Sequence, residues 1–148
     1  MKYTLYPGCT VQSEQFGLEA SVRETLPRLG VELEDMRGSS CCGFPALSSI
    51  SKVGWHYLSA RNLAIAEKMG NDFLPLCNGC HLSFVETMHY LEADPDLKNL
   101  INTHLEKEGL RYEGKVKVVH LLEVLHDRAG VKKISGELVK PLKGLKFA

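Results

Sequence analysis

The sequence predicts an α/β fold, a mainly parallel sheet flanked by helices, with its cysteines at the carboxyl ends of the strands. Three observations carry this. Short β-prone or apolar runs alternate with stretches of helical periodicity, turn residues punctuate the joins, and every cysteine group directly follows a predicted strand.

Tyr3 to Tyr6 is a short β-prone run that stops at Pro7-Gly8, a strong turn signal, with Cys9 just beyond. From about Ser13 a helical pattern follows, with Leu18, Val22, Leu26 and Leu29 on one face, Pro27 in its last turn and Gly30 as its C-terminal cap. Val31 to Met36 alternates apolar and acidic residues like a half-exposed strand, and leads through Arg37-Gly-Ser-Ser to Cys41 and Cys42. A second helix is expected over Gly54 to Met69, with Trp55, Leu58, Ile65, Ala66 and Met69 on its buried face and Gly70 beyond its end.

Asp72 to Leu76 is apolar enough for a buried strand, provided that Pro75, which has no N–H, faces away from a pairing neighbour. Cys77-Asn-Gly-Cys80 follows at once. Leu82, Val85, Met88 and Leu91 form a third helical face, and Leu97, Leu100, Ile101 and Leu105 a fourth, interrupted at Asp94-Pro95. Lys115 to Val119 reads as a strand, His120 to Arg128 as a helix, and Leu142 to Ala148 as a final strand. At 148 residues the chain has room for one continuous core, so residues 1–148 are expected to form a single domain.

Composition narrows the function. Lys+Arg and Asp+Glu balance at 18 each, which argues against partners bound by charge, such as nucleic acid or an anionic membrane surface. No apolar run approaches the roughly 20 residues of a membrane span, and the amino terminus lacks a basic region followed by an apolar stretch; a cytoplasmic protein without membrane insertion is expected.

The cysteines are the anomaly. Five is an odd count, which a secreted disulfide framework would normally avoid, and four of them stand in doublets beside turn residues, unlike cysteines used only as small apolar core residues. Between Cys9 and Cys41 lie 31 residues (10 to 40), between Cys42 and Cys77 lie 34 (43 to 76), and Cys77 and Cys80 enclose two. Each long gap holds about one βα unit, and in such sheets ligands gather at the carboxyl edge where the strand order reverses. Residues more than thirty positions apart can therefore meet there.

Thiolates are soft ligands that select zinc, cuprous copper or iron–sulfur units. Tetrahedral zinc and an ordinary cubane each take four protein thiolates, which leaves one over. The extra one lies in Cys41-Cys42, whose side chains in extended backbone point oppositely and suit two different irons. A five-thiolate, non-cubane cluster on Cys9, Cys41, Cys42, Cys77 and Cys80 is the resulting expectation, with Gly43 and Gly79 letting backbone amides approach the sulfurs. Zinc on four cysteines in a domain without a redox role is the alternative. A thioredoxin-like thiol pair at Cys77 and Cys80 would leave the other three unexplained.

Tyr6-Pro-Gly-Cys9-Thr, Cys41-Cys-Gly-Phe-Pro45, Arg61-Asn-Leu-Ala-Ile-Ala-Glu67 and Leu76-Cys-Asn-Gly-Cys80 resemble the cysteine-rich CCG domain found in the B subunit of heterodisulfide reductase, over nearly the whole chain. The resemblance implies a non-cubane [4Fe-4S] cluster held by the five cysteines. It also implies reduction of the coenzyme M–coenzyme B disulfide, or a related one, as in methanogenesis. Partner subunits carrying iron–sulfur clusters or flavin would deliver the electrons. The B subunit of that family carries two such repeats and this sequence one, so the chain is expected to be the amino-terminal repeat of a longer protein and inactive alone.

Among the other polar residues, His120 at a strand end and His81 beside Cys80 are proton-donor candidates, with structural use favoured for both. His56, His89, His104 and His126 fall within helical segments and are assigned no role. Trp55 reads as core, and Arg37, Lys52 and Arg61 as surface charge.

Overall fold

A computed structural model describes residues 1–140 and 144. Three parallel strands, β1 (Lys2–Tyr6), β2 (Glu32–Asp35) and β3 (Asp72–Pro75), lie in the order β2-β1-β3. Because β1 is central, the chain steps to one side for β2 and then crosses to the other for β3. Side chains alternate across the sheet: Tyr3, Leu5 and Leu74 face one core with Val22, Leu26 and Val124, while Tyr6 and Phe73 face the other with Leu63, Phe84, Leu91 and Ile101. Helices thus cover both faces, as expected.

The first helical stretch is two helices, α1 (Cys9–Glu14) and α2 (Phe16–Arg28), because Gln15 leaves helical backbone at φ −127° and ψ 36°. Cys9 therefore opens a helix rather than ending a loop. Gly30 closes α2 with φ 75°, and the Val31 amide reaches back to the Leu26 carbonyl, as the expected glycine cap requires. The long helix α3 (Lys52–Met69) starts two residues early on Ser51, whose hydroxyl accepts from the Gly54 amide, and ends at Gly70.

Two helical faces differ from the periodicity. In α3, Leu58, Ile65 and Met69 are only half-buried, while Ser59, Ala60, Asn62 and Ala64 are fully buried. In α4 (Asn78–Ala93), Leu82 is exposed and the buried line runs Cys80, Ser83, Phe84, Thr87, Leu91. Both helices turn polar side chains inward to serve the loop after β2, and the apolar periodicity cannot register that. In α5 (Pro95–Leu105), Asp94 caps the Leu97 amide at 2.9 Å, Ile101 and Leu105 are buried, and Leu100 is exposed.

Residues 115–119 are extended but pair with β3 through one bridge, Phe73 to Val118. The Leu76 amide donates to Tyr6, and the Phe73 amide to the Lys117 carbonyl, so amides alternate sides. Pro75, two residues beyond Phe73, therefore has its missing N–H on the bridged side, away from β1, which ends the bridge after one residue. The expected helix from His120 is a short α6 (Leu121–Glu123) that continues as a π-helical turn over Val124–Gly130, followed by α7 (Val131–Glu137). The final strand expected at 142–148 lies outside the described residues.

One carboxylate holds the approach to residues 115–119. Glu67 accepts the amides of Glu113, Gly114, Lys115 and Val116 at 2.8, 2.7, 2.6 and 3.3 Å. A carboxylate in the last turn of a helix opposes the helix dipole, so these amides must outweigh that cost. Glu67→Ala is expected to lower unfolding free energy by about 2 kcal/mol in urea titration; a change below about 0.5 kcal/mol would show the bonds to be incidental.

Candidate functional site

Three loops leave the carboxyl ends of the strands and bring all five cysteines to one edge. Cys9 follows β1, Cys41 and Cys42 lie in the loop after β2, and Cys77 and Cys80 flank the start of α4 after β3. The chain after β1 goes to one face of the sheet and the chain after β3 to the other, which opens a crevice between them at the switch in strand order.

The sulfurs stand as two close pairs. Cys9 Sγ lies 3.9 Å from Cys41 Sγ, and Cys42 Sγ lies 3.4 Å from Cys80 Sγ. Cys9 and Cys41 are exposed, Cys42 and Cys80 buried, and Cys77 intermediate. Among the described residues, no three His, Cys, Asp or Glu side chains gather about a single point in the way one metal ion would require.

Glycine makes this approach possible. Gly8 has φ 82° and ψ 160°, a region essentially closed to other residues, and a Cβ there would lie 3.0 Å from Cys80 Sγ and 3.5 Å from Cys77 Cβ. Gly43, at φ 85°, donates its amide to Cys41 Sγ at 3.3 Å, as its place beside the cysteine pair suggested. A Cβ on Gly79 would meet the Phe44 ring at 3.3 Å, so that glycine lets the two cysteine loops touch.

The loop after β2 is clamped by side chains from three elements. Tyr6 donates its hydroxyl to the Ser40 carbonyl at 2.8 Å; burial, and then the surrounding cysteines, push its titration up, so the phenol stays a donor. The buried Asn62 amide accepts the Ser40 N–H at 2.9 Å and donates to the Ser40 carbonyl at 3.0 Å. Ser59 and Ser83 reach the Cys42 carbonyl at 3.1 and 3.3 Å, and Trp55 Nε1 donates to Ser83 Oγ at 2.5 Å. Beneath them, Tyr6, Phe73 and Phe84 pack in tilted and edge-to-face contacts with centroids 4.9 to 5.6 Å apart.

Electrostatics separates the buried sulfurs. The hydrogen bond with Cys80, then the Phe44 amide and the Ser83 hydroxyl, outweigh burial and bring Cys42 down to about 6. Cys80, bonded to it and buried, is pushed up. Burial also raises Cys41, against the Gly43 amide. Of this pair Cys42 is the more acidic sulfur and Cys80 the less acidic.

His120 caps α6 through Nδ1, which accepts the Leu122 amide at 3.2 Å, and its Nε2 meets Asn78 Oδ1 at 2.9 Å. Both ring nitrogens are engaged, in line with the structural use favoured for it. His81 stands edge-on to His120, centroids 5.0 Å apart, and burial followed by the charge of His120 lowers it. Arg61 bonds Glu108 at 2.7 Å and the Gly38 carbonyl at 2.8 Å, so it braces the loop. Arg37 and Lys52 are exposed. His56, assigned no role, is buried against Trp55 and bonds Thr87 at 3.0 Å. Sequence reasoning missed Tyr6, Ser59, Asn62 and Ser83 as site residues, and took Trp55 for core alone. Tyr6 and Asn62 lay in segments that carried the family resemblance; Ser59 and Ser83 did not. Beside Cys9 and Cys41, between β1 and the following loop, lies a cavity of about 340 Å³ lined by Tyr6, Gly8, Ser40 and Arg23.

The same arrangement has relatives. Residues 3–85, which contain all five cysteines, match the model of the CCG cysteine-rich domain. The chain is 36% identical over its full length to a protein of Archaeoglobus profundus that is itself similar to the B subunit of heterodisulfide reductase, covering 50% of that protein. It is 34% identical over 95% of its length to the B subunit of the ferredoxin/F420H2-dependent CoB-CoM heterodisulfide reductase of Methanosarcina acetivorans, covering 47%. An 8-methylmenaquinol:fumarate reductase membrane anchor subunit of Wolinella succinogenes is 32% identical, with 99% and 50% covered. The chain thus spans about half the length of these relatives. A crystal structure of a hypothetical protein from Helicobacter pylori shares the fold at TM-score 0.75 and 24% identity, covering 82% of this chain and 24% of that one. With its five cysteines inside the matched region and gathered at one sheet edge, the chain belongs to the CCG cysteine-rich domain family.

Proposed function

We propose that Cys9, Cys41, Cys42, Cys77 and Cys80 hold a non-cubane [4Fe-4S] cluster, and that the domain serves electron transfer to a disulfide within a protein like the B subunit of heterodisulfide reductase. The coenzyme M–coenzyme B heterodisulfide, or a related one, is the substrate class. The reading includes a second repeat, partner subunits that deliver electrons through iron–sulfur clusters or flavin, and a cytoplasmic setting. No helix among the described residues is long and apolar enough to cross a membrane. Neither repeat is expected to turn over alone.

The observation that carries the proposal is the paired arrangement of five thiols. Metal–sulfur bonds of about 2.3 Å at a tetrahedral metal put neighbouring sulfurs roughly 3.8 Å apart. The Cys9–Cys41 and Cys42–Cys80 separations of 3.9 and 3.4 Å match such edges, so each pair suits a metal of its own, with Cys77 left over. That donor set exceeds one zinc ion. The Gly43 amide, aimed at Cys41 at 3.3 Å, suits a sulfur that stays anionic.

A bound iron–sulfur cluster would supply electrons at a potential set by its charge, its hydrogen bonds and its exposure. The protein divides the labour. Cys42 and Cys80 anchor the buried side, while exposed Cys9 and Cys41 face the cavity, which has room for part of a small disulfide. Cleaving that disulfide takes two electrons and two protons; the buried, protonated Tyr6 is tied to Ser40, so protons reach the open side from solvent.

Cys41→Ser tests the fifth ligand. After anaerobic reconstitution the variant is expected to bind less than half the wild-type iron or to give a changed EPR spectrum. Iron content and spectrum both matching wild type would remove Cys41 from the ligand set.

A further inference from the structure

A buried chain of hydroxyls runs from α3 and α4 to the cysteine loop with its direction fixed at both ends. Trp55 Nε1 can only donate, and gives its proton to Ser83 Oγ at 2.5 Å. Ser83 Oγ lies 2.9 Å from Ser59 Oγ, and Ser59 donates to the Cys42 carbonyl at 3.1 Å, which can only accept. The same carbonyl, 3.3 Å away, is the alternative acceptor for the single Ser83 proton. Ser59 and Ser83 are fully buried, and α3 and α4 have no apolar-packing reason to place hydroxyls there.

The Cys42 carbonyl shares a rigid, planar peptide unit with the Gly43 N–H, and in a trans unit the two point in opposite directions. Holding the oxygen inward on Ser59, which Ser83 backs, therefore aims the Gly43 N–H outward, where it meets Cys41 Sγ at 3.3 Å. The next unit repeats the device. The Gly43 carbonyl accepts the Leu47 and Ser48 amides at 2.8 and 3.3 Å, which turns the Phe44 N–H the opposite way.

We infer that Trp55, Ser59 and Ser83 are positioning residues: they lock the Cys42–Gly43 peptide plane so that its N–H is delivered to the Cys41 sulfur. The alternative assignment of these side chains, as filler between two helices, leaves the direction of the Gly43 amide to chance. For the orientation itself the inference stands on the protein alone; its consequence for redox tuning rests on the cluster proposed above. Gly43 N–H bonding favours the more negative, reduced state of a metal–thiolate group, so losing it lowers the potential.

Two measurements test this. In the metal-free, reduced 148-residue chain, Ser59→Ala/Ser83→Ala should speed hydrogen exchange at the Gly43 amide by about tenfold or more relative to amides of α5. Trp55→Phe, which keeps an aromatic ring and removes only the N–H, should shift the same ratio in the same direction by a smaller factor. If the double variant does not fold, Ser59→Ala alone supplies the reading. A Gly43-to-α5 exchange ratio unchanged from wild type in every folded variant overturns the inference. In the reconstituted protein the folded serine variant should have a lower midpoint potential than wild type, and an unchanged potential overturns the tuning role. If wild type takes up no cluster, the proposed function fails while the exchange result still judges the peptide-plane assignment.

Discussion

Asn62→Leu is expected to lower the unfolding free energy by about 2–4 kcal/mol. Leucine has the branched outline of asparagine, so packing in α3 is largely kept and the main loss is of polar partners. Those partners are backbone. Asn62 is fully buried, accepts the Ser40 N–H at 2.9 Å, and donates to the Ser40 carbonyl at 3.0 Å. With leucine in place, the Ser40 N–H loses this partner, and its carbonyl keeps Tyr6 alone. The part-buried Ser40 N–H left unpaired costs about 1–3 kcal/mol, and the lost bond to the carbonyl about 1 kcal/mol more. The loop that presents Cys41 and Cys42 should loosen with it, so alkylation of Cys42, buried in the wild type, should accelerate. Urea unfolding under reducing conditions checks the first expectation and mass spectrometry after iodoacetamide the second. A loss below about 1 kcal/mol would mean that the loop finds other partners easily.

Gly8→Val is expected to cost about 3 kcal/mol and to abolish co-assembly of the β1 and β3 cysteine loops. Its φ of 82° with ψ of 160° is a conformation that costs a non-glycine residue about 1–3 kcal/mol. Contact adds to that strain. The new Cβ would sit 3.0 Å from Cys80 Sγ before the branching methyls are counted, and overpacking costs a further 1–3 kcal/mol, roughly. The chain can relieve the clash only by moving Cys9 away from Cys80, so metal uptake should fall along with stability. Gly8→Ala should show the backbone strain with less of the steric effect. If Gly8→Val retained wild-type stability and metal content, close approach of these loops would not be needed for the site.

What the sequence made legible was whatever depends on local signals. Gly30 and Gly70 cap their helices where the periodicity ends, Asp94 starts α5, and the five cysteines fall at strand ends because the turn residues before them mark those ends. Pro75 was expected to face away from a pairing neighbour, but its missing N–H points to residues 115–119, where it cuts the pairing to one bridge. The clamp around the cysteine loop was hidden for a physical reason. Ser59, Asn62, Ser83 and Thr87 look like solvent-facing helix residues, since polarity is the usual mark of exposure. Their burial makes sense only once the carbonyls of Ser40 and Cys42, and the ring of His56, are brought to them by tertiary contacts. The same error in reverse assigned Leu82 to the core, when α4 is rotated to turn Cys80 and Ser83 inward.

If five thiolates hold an iron–sulfur cluster, elemental analysis will find it. Iron, acid-labile sulfide and zinc should be measured on the chain purified without oxygen, with EPR spectra of the same sample. About four iron and four sulfide per chain are expected, with little zinc and an EPR signal that the Cys41→Ser variant alters. One equivalent of zinc with no sulfide, bound by the wild-type chain, would contradict the cluster assignment.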